Sequence, residues 1–321
     1  MRLLAATAAA ASSLLMSADL SRAETINIGV LKFGTVNWLM ETIQANRLDD
    51  AAGYTLEVVP LAGKAATSIA FQSGAVDLIV TDWVWAMHQR GKGADYRFFP
   101  YSNALGAVVA GQNEDLSSIC DLAGRAVGVV GGPLDKSWLI LQSLATQECD
   151  TNLAEETQTL YGAPPLMSQQ LGSGGIDAVV TYWHYAARLT AGEYDEIISV
   201  DDALERMGIV PAPALVGFVW DRDRIDPDAI DRFRASVMSA SDLLATDDTA
   251  WERLRGLMKA RSDAEFEALR ESYRKGIALD WTSDDTAAAA RTHALLKDAG
   301  GEAFVDAAGE FDPQVFTGTD D

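Results

Sequence analysis

Two lysines stand where an anion could be held. Lys64 follows Gly63, and Lys136 follows the turn Gly131-Gly-Pro-Leu-Asp135, each at the start of a stretch with helical spacing. Free amides and the positive end of a helix macrodipole favour negative charge at such a start, and an ammonium adds to that field. A sulfonate or carboxylate suits this pattern, set against ordinary surface charge as the plain alternative. A second group is aromatic. Phe33, Trp83, Trp85, Tyr161, Tyr182, Trp183 and Tyr185 lie at or just beyond the ends of apolar segments. They could wall a pocket for a flat ring, or with Asp82 form a cage for a cation. Core packing with an exposed edge is their plain alternative.

Catalytic chemistry has little to stand on. His88, His184 and His293 are far apart and lack metal-ligand spacing. Gly172-Ser-Gly-Gly175 is not a nucleophile elbow. The segment from Gly131 to Ser137 looks like a phosphate loop, but Asp135 precedes its lysine where such a loop has glycine. The expectation is a protein with no catalytic residues, no metal and no cofactor.

The elements that must position these residues occur twice. Gly74-Ala-Val-Asp-Leu-Ile-Val-Thr-Asp-Trp83 returns as Gly174-Gly-Ile-Asp-Ala-Val-Val-Thr-Tyr-Trp183, and the segment Gly29 to Trp38 has a looser echo in Gly128 to Trp138. Two copies are too few for a solenoid. They point instead to two similar α/β lobes facing each other across a cleft. Apolar strands at 25–31, 54–61 and 76–81 alternate with helical segments, and the order restarts at Arg125. That alternation predicts mainly parallel sheets. Strands at 96–101, 106–110 and 214–220 read as crossings between lobes, and helices near 227–245, 248–260, 263–276 and 284–298 as a C-terminal addition to the first lobe. The domains expected are a signal peptide over 1–23, a first lobe from 24–104 plus 215–321, and a second lobe from 105–214.

Ligands in open α/β sheets bind beyond the carboxyl ends of the strands. Six loops then converge on the cleft and nominate Phe33, Gly34, Thr35, Lys64, Asp82 and the indoles Trp83 and Trp85 from the first lobe. The second lobe nominates Gly132, Lys136, Tyr161, Tyr182, Trp183 and His184. Residues shared by the two copies, Asp77/Asp177 and Trp38/Trp138, read as capping and packing, whereas Asp82 against Tyr182 differs and reads as specificity.

Arg2 and the short apolar run Leu3 to Met16, followed by Ser21-Arg22-Ala23, predict a cleavable export signal with cleavage near Ala23. No cysteine follows that run to carry a lipid anchor, so a soluble periplasmic protein is expected. The net charge of −22 opposes binding to nucleic acid and anionic membranes. The two cysteines, Cys120 and Cys149, fall before the first strand of the second lobe and at the end of the helix running back from it. A disulfide there would stabilise by roughly 3 kcal/mol in the chain-entropy model, the alternative being two separate buried thiols.

This layout resembles the periplasmic substrate-binding proteins of ABC importers, in particular the nitrate/taurine/sulfonate and thiamine-precursor branch. The matching segments are Ile28-Gly-Val-Leu-Lys32, Gly74 to Val80, Asp121-Leu-Ala-Gly-Arg-Ala-Val-Gly128 and Asp226-Pro-Asp-Ala-Ile230, in that order. The resemblance implies a two-lobed binding-protein fold of type II, a small-molecule ligand, transient docking to a membrane permease and a monomeric state. The aromatic residues favour a heteroaromatic, pyrimidine-like ligand. An alkyl or aryl sulfonate, or another small anion, is the alternative, as is a sensor role without transport.

Overall fold

The structure, a computed structural model, describes residues 24–317 except 113 and 279. The expected signal peptide and its cleavage site lie outside the described residues.

The first sheet is laid down by β1 (Glu24–Leu31), β2 (Tyr54–Leu61), β3 (Leu78–Asp82) and β4 (Tyr96–Ser102). Between them run α1 (Val36–Ala45), α2 (Leu48–Ala52), α3 (Lys64–Gln72) and α4 (Trp83–Arg90). The chain then crosses and builds a second sheet from β5 (Gly106–Ala110), β6 (Ala126–Val130), β7 (Gln158–Gly162), β8 (Ala178–Tyr182) and β9 (Glu196–Ser199). Its helices are α5 (Lys136–Cys149), α6 (Leu153–Glu156), α7 (Pro164–Gly172), α8 (Trp183–Thr190) and α9 (Val200–Arg206). The chain returns through β10 (Val216–Asp221) and ends in α10 (Pro227–Thr246), α11 (Asp248–Met258), α12 (Asp263–Lys275) and α13 (Ser283–Ala308). Among the described residues no helix is long and apolar enough to cross a membrane.

The strand orders are β2-β1-β3-β10-β4 and β7-β6-β8-β5-β9, so the two sheets have the same plan. In each, one strand runs antiparallel to its neighbours: β10 in the first and β5 in the second. Both of these strands directly follow a crossing. The crossing itself is therefore a loop, Asn103 to Leu105 outward and 207–215 on return, and β4 stays within the first sheet rather than carrying the chain across. β6 and β8 are short, apolar and almost wholly buried, as strands covered on both faces must be.

The repeat is visible in its hydrogen bonds. Asp77 Oδ2 accepts from the Asn27 amide at 2.8 Å, and Asp177 Oδ2 accepts from the Ala126 amide at 2.8 Å. Each carboxylate thus satisfies a backbone amide on the neighbouring parallel strand, Asn27 within β1 and Ala126 at the start of β6, which would otherwise be left unpaired. The Trp83 amide donates to Leu215 O and the Trp183 amide to Leu105 O, both at 3.3 Å. Each tryptophan backbone is thereby tied to the segment entering from the other lobe.

The C-terminal helices do not all stay on the first lobe. α10 packs on α1 and α2, but α13 lies against α4 of the first lobe and α5 of the second. Its apolar Ala288, Ala289 and Leu296 are fully buried. Cys120 and Cys149 are joined by a disulfide, with their Cα atoms 5.7 Å apart.

Candidate functional site

Four charged side chains meet where the carboxyl ends of the two sheets face each other. Asp82 ends β3 and Lys64 begins α3 in the first lobe, while Asp135 caps α5 and Lys136 begins it in the second. Lys136 Nζ stands 3.1 Å from Asp82 Oδ2, a bond between lobes. Lys64 Nζ lies 5.9 Å from the centre of the Tyr182 ring, a second contact between lobes.

Each aspartate has two tasks. Asp82 Oδ1 accepts from the Trp85 amide at 2.9 Å and so caps α4, while Asp135 Oδ1 accepts from the Ser137 amide at 3.0 Å and caps α5. Their titration diverges. Burial works to raise the Asp82 carboxyl, but Lys136, Lys64 and the Trp85 amide outweigh it and hold it below the usual range. For Asp135 burial prevails over the same two lysines, and its carboxyl is raised. Burial, then the neighbouring Asp135, pushes the Tyr182 phenol up to about 12, so it stays a hydrogen-bond donor at neutral pH. Burial, then Arg188, pushes His184 down to about 4, leaving a neutral imidazole whose Nδ1 is buried without a partner.

The aromatic candidates separate into two groups. Trp83 is fully buried, its Nε1 donates to Ala214 O at 3.1 Å, and its ring packs against Phe316 and Phe311. Trp85 stacks on Tyr96 at 5.7 Å and tilts against Phe71. Trp183 crosses to the first lobe, 5.9 Å from Trp38 and 6.1 Å from Tyr273. These three indoles are packed among other rings rather than lined up as an open wall. Phe33 is 74% exposed and lies under the Lys259 ammonium at 4.8 Å, and Tyr161 is 39% exposed. Gly34 donates its amide to Leu31 O, Thr35 O accepts from the Trp38 amide at the start of α1, and Gly132 O accepts from the Asp135 amide. These are turn positions that shape the loops.

Sequence reasoning missed Asp135 as part of the cluster, although an Asp directly before a helical stretch is a cap signal. It also missed a further junction between lobes. Arg188 of α8 pairs with the buried Glu265 of α12 and donates to Met258 O at 2.7 Å. Glu265 is shared with Arg261 at 2.8 Å. Removing one partner from such a buried pair is far more costly than the pair's net contribution.

No protein-family profile matches the chain. No curated protein matches it in sequence either. Solved structures do match in shape. The periplasmic aliphatic sulphonate binding protein SsuA from Escherichia coli superposes with a TM-score of 0.68 at 15% identity, covering 85% of this chain and 86% of that one. The alkanesulfonate-binding protein SsuA from Xanthomonas axonopodis pv. citri, bound to MOPS, gives 0.66 at 15% identity, covering 87% and 95%. A periplasmic sulfonate-binding protein SsuA from Methylobacillus flagellatus gives 0.67 at 14% identity, covering 92% of each. The fold is that of the two-lobed periplasmic binding proteins. At these identities the likeness concerns fold, and ligand chemistry must be argued from the residues of this chain.

Proposed function

We propose that this chain is the periplasmic solute-binding component of an ABC importer, and that it captures a small organic anion between its lobes. The observation that carries this reading is the placement of Lys64 and Lys136 at the starts of helices on opposite lobes, converging on Asp82 and Asp135. An anion between them gains from two ammonium groups, helix-start amides and the Tyr182 hydroxyl. It touches both lobes, as a ligand must if it is to favour the closed form, because only differential affinity shifts such an equilibrium. Three fold neighbours are described as binding sulfonates, which supports a sulfonate head group here. The exposed Phe33 and Tyr161 suit an alkyl or aryl body attached to it. Delivery would follow by transient docking of the closed monomer to a membrane permease.

A neutral pyrimidine-like ring fits less well, because Trp83, Trp85 and Trp183 are occupied in packing. Calorimetry on the chain from residue 24 separates the two readings, with benzenesulfonate and thymine as probes. Benzenesulfonate binding that is lost in Lys136→Ala supports the anion reading. Thymine binding that is indifferent to Lys64→Ala and Lys136→Ala would replace it with the ring reading.

A further inference from the structure

We propose a second anion site, outside the cleft, in a cavity at the outer edge of the first sheet, taking an organic carboxylate or phosphate with an apolar body. The cavity is about 860 Å³, within the range that small-molecule sites occupy. Three separate parts of the chain build it. β10 and the edge strand β4 give one side, the first turns of α10 another, and residues 313–317 the third. The last segment is fixed to β4, since Phe316 bridges Phe98 and the Thr317 amide donates to Phe98 O at 3.1 Å.

The charge of this cavity is opposite to that of the molecule. In a chain of net charge −22 it gathers Arg97, Arg222 and Arg234 against the lone carboxylate of Asp231. Arg97 is engaged, paired to Asp95 at 2.9 Å and donating to Gln314 O. Arg222 and Arg234 form no ion pair among the described residues. The Arg234 guanidinium lies 5.8 Å from the centre of the Phe99 ring, within the range of a cation–π contact. Guanidinium groups recognise carboxylate and phosphate through paired planar hydrogen bonds. Phe99, Trp220 and Phe316, almost wholly buried, form the floor behind them, and the partly exposed Ile225 and exposed Pro227 supply the apolar part of the rim. Asp231 on the same rim repels a second negative charge, which selects a ligand charged at one end.

The test is a fluorine NMR titration of the chain from residue 24, with 4-fluorobenzoate and 4-fluorophenyl phosphate as probes. Saturable binding should persist in Lys64→Ala/Lys136→Ala, which disarms the cleft, and weaken with added salt. It should weaken about tenfold or more in Arg222→Gln/Arg234→Gln. Arg222→Gln alone removes an exposed side chain and should weaken binding about threefold with circular dichroism unchanged. No saturable binding of either probe, or binding lost with the lysines and kept without the arginines, overturns the proposal. Binding seen only after removal of residues 318–321, which carry Asp320 and Asp321, would give the cavity to the chain's own acidic segment and likewise overturn it.

Discussion

Asp82 and Lys136 meet at 3.1 Å although they belong to different lobes. Each also stands at the first turn of a helix, so the pair joins the start of α4 to the start of α5. An anion arriving at Lys136 must share it with the Asp82 carboxylate or displace that carboxylate. The aspartate is therefore an internal competitor for the seat we assign to the ligand.

Asp82→Asn retains a capping side chain and removes the competing charge. We expect benzenesulfonate to bind about tenfold more tightly to this variant, and Lys136→Met to bind it at least tenfold more weakly. Calorimetry at constant ionic strength measures both, and unchanged affinity in both would remove the pair from the binding seat.

Trp183→Ala takes an indole of the second lobe out of contact with Trp38 and Tyr273. The expected cost is about 3 kcal/mol in urea unfolding, with a larger radius of gyration in small-angle scattering. A variant that is destabilised but equally compact would show that this ring supports the fold without holding the lobes together.

His184 gives a pH dependence of stability with a definite sign. Burial, then Arg188, holds its native pKa near 4, whereas the unfolded chain titrates at about 6.5. The unfolded state takes up the proton first, so stability is lost as pH falls from about 6.5 toward 4. Replacing His184 with Gln should flatten the slope of the unfolding midpoint across that window, and an unaltered slope would refute the assignment.

Asp201 acts in the opposite direction. Burial, then Asp202, Glu205 and Glu196, lifts its carboxyl to about 7, and its Oδ1 is buried without a partner. The native state keeps this proton where the unfolded state has lost it, so stability falls as pH rises from about 4 to 7. Asp201→Asn should be the more stable protein at pH 8, with the advantage gone at pH 4, by thermal unfolding.

The bridge between Cys120 and Cys149 closes a segment with a sequence separation of 29. Cys120→Ala/Cys149→Ala should lose about 3 kcal/mol in the chain-entropy model. The loss should show as a lower denaturant midpoint in the second lobe, with cleft affinity kept wherever the variant is folded.

Much of the frame was legible because repeated segments fold alike. The order of strands and helices and the loops that meet at the cleft follow from local pattern. The recurrence of Asp77 and Asp177 marked a shared role but not their partners, which are strand amides 50 and 51 residues away rather than amides of a local turn. The partner of α13 does not follow from local pattern either, because its Ala-rich stretch presents similar small surface on several sides and either lobe could receive it. The indoles were equally ambiguous. Trp85 stands at the third position of its helix, and nothing in the spacing says that Tyr96 and Phe71 will cover it. Lys64 and Lys136 were readable as anion seats, but their matching with Asp82 and Asp135 needed both lobes placed together.

The paired tryptophan amides have a mechanical consequence. Trp83 holds Leu215 and Trp183 holds Leu105, and each of those leucines leads directly into an antiparallel strand. The residue immediately before each tryptophan, Asp82 or Tyr182, is the one that faces the opposite lobe. Contact and pivot are thus adjacent in the covalent chain on both sides of the molecule. The route from either contact to the connection between the lobes is one side chain, one peptide unit and one hydrogen bond long.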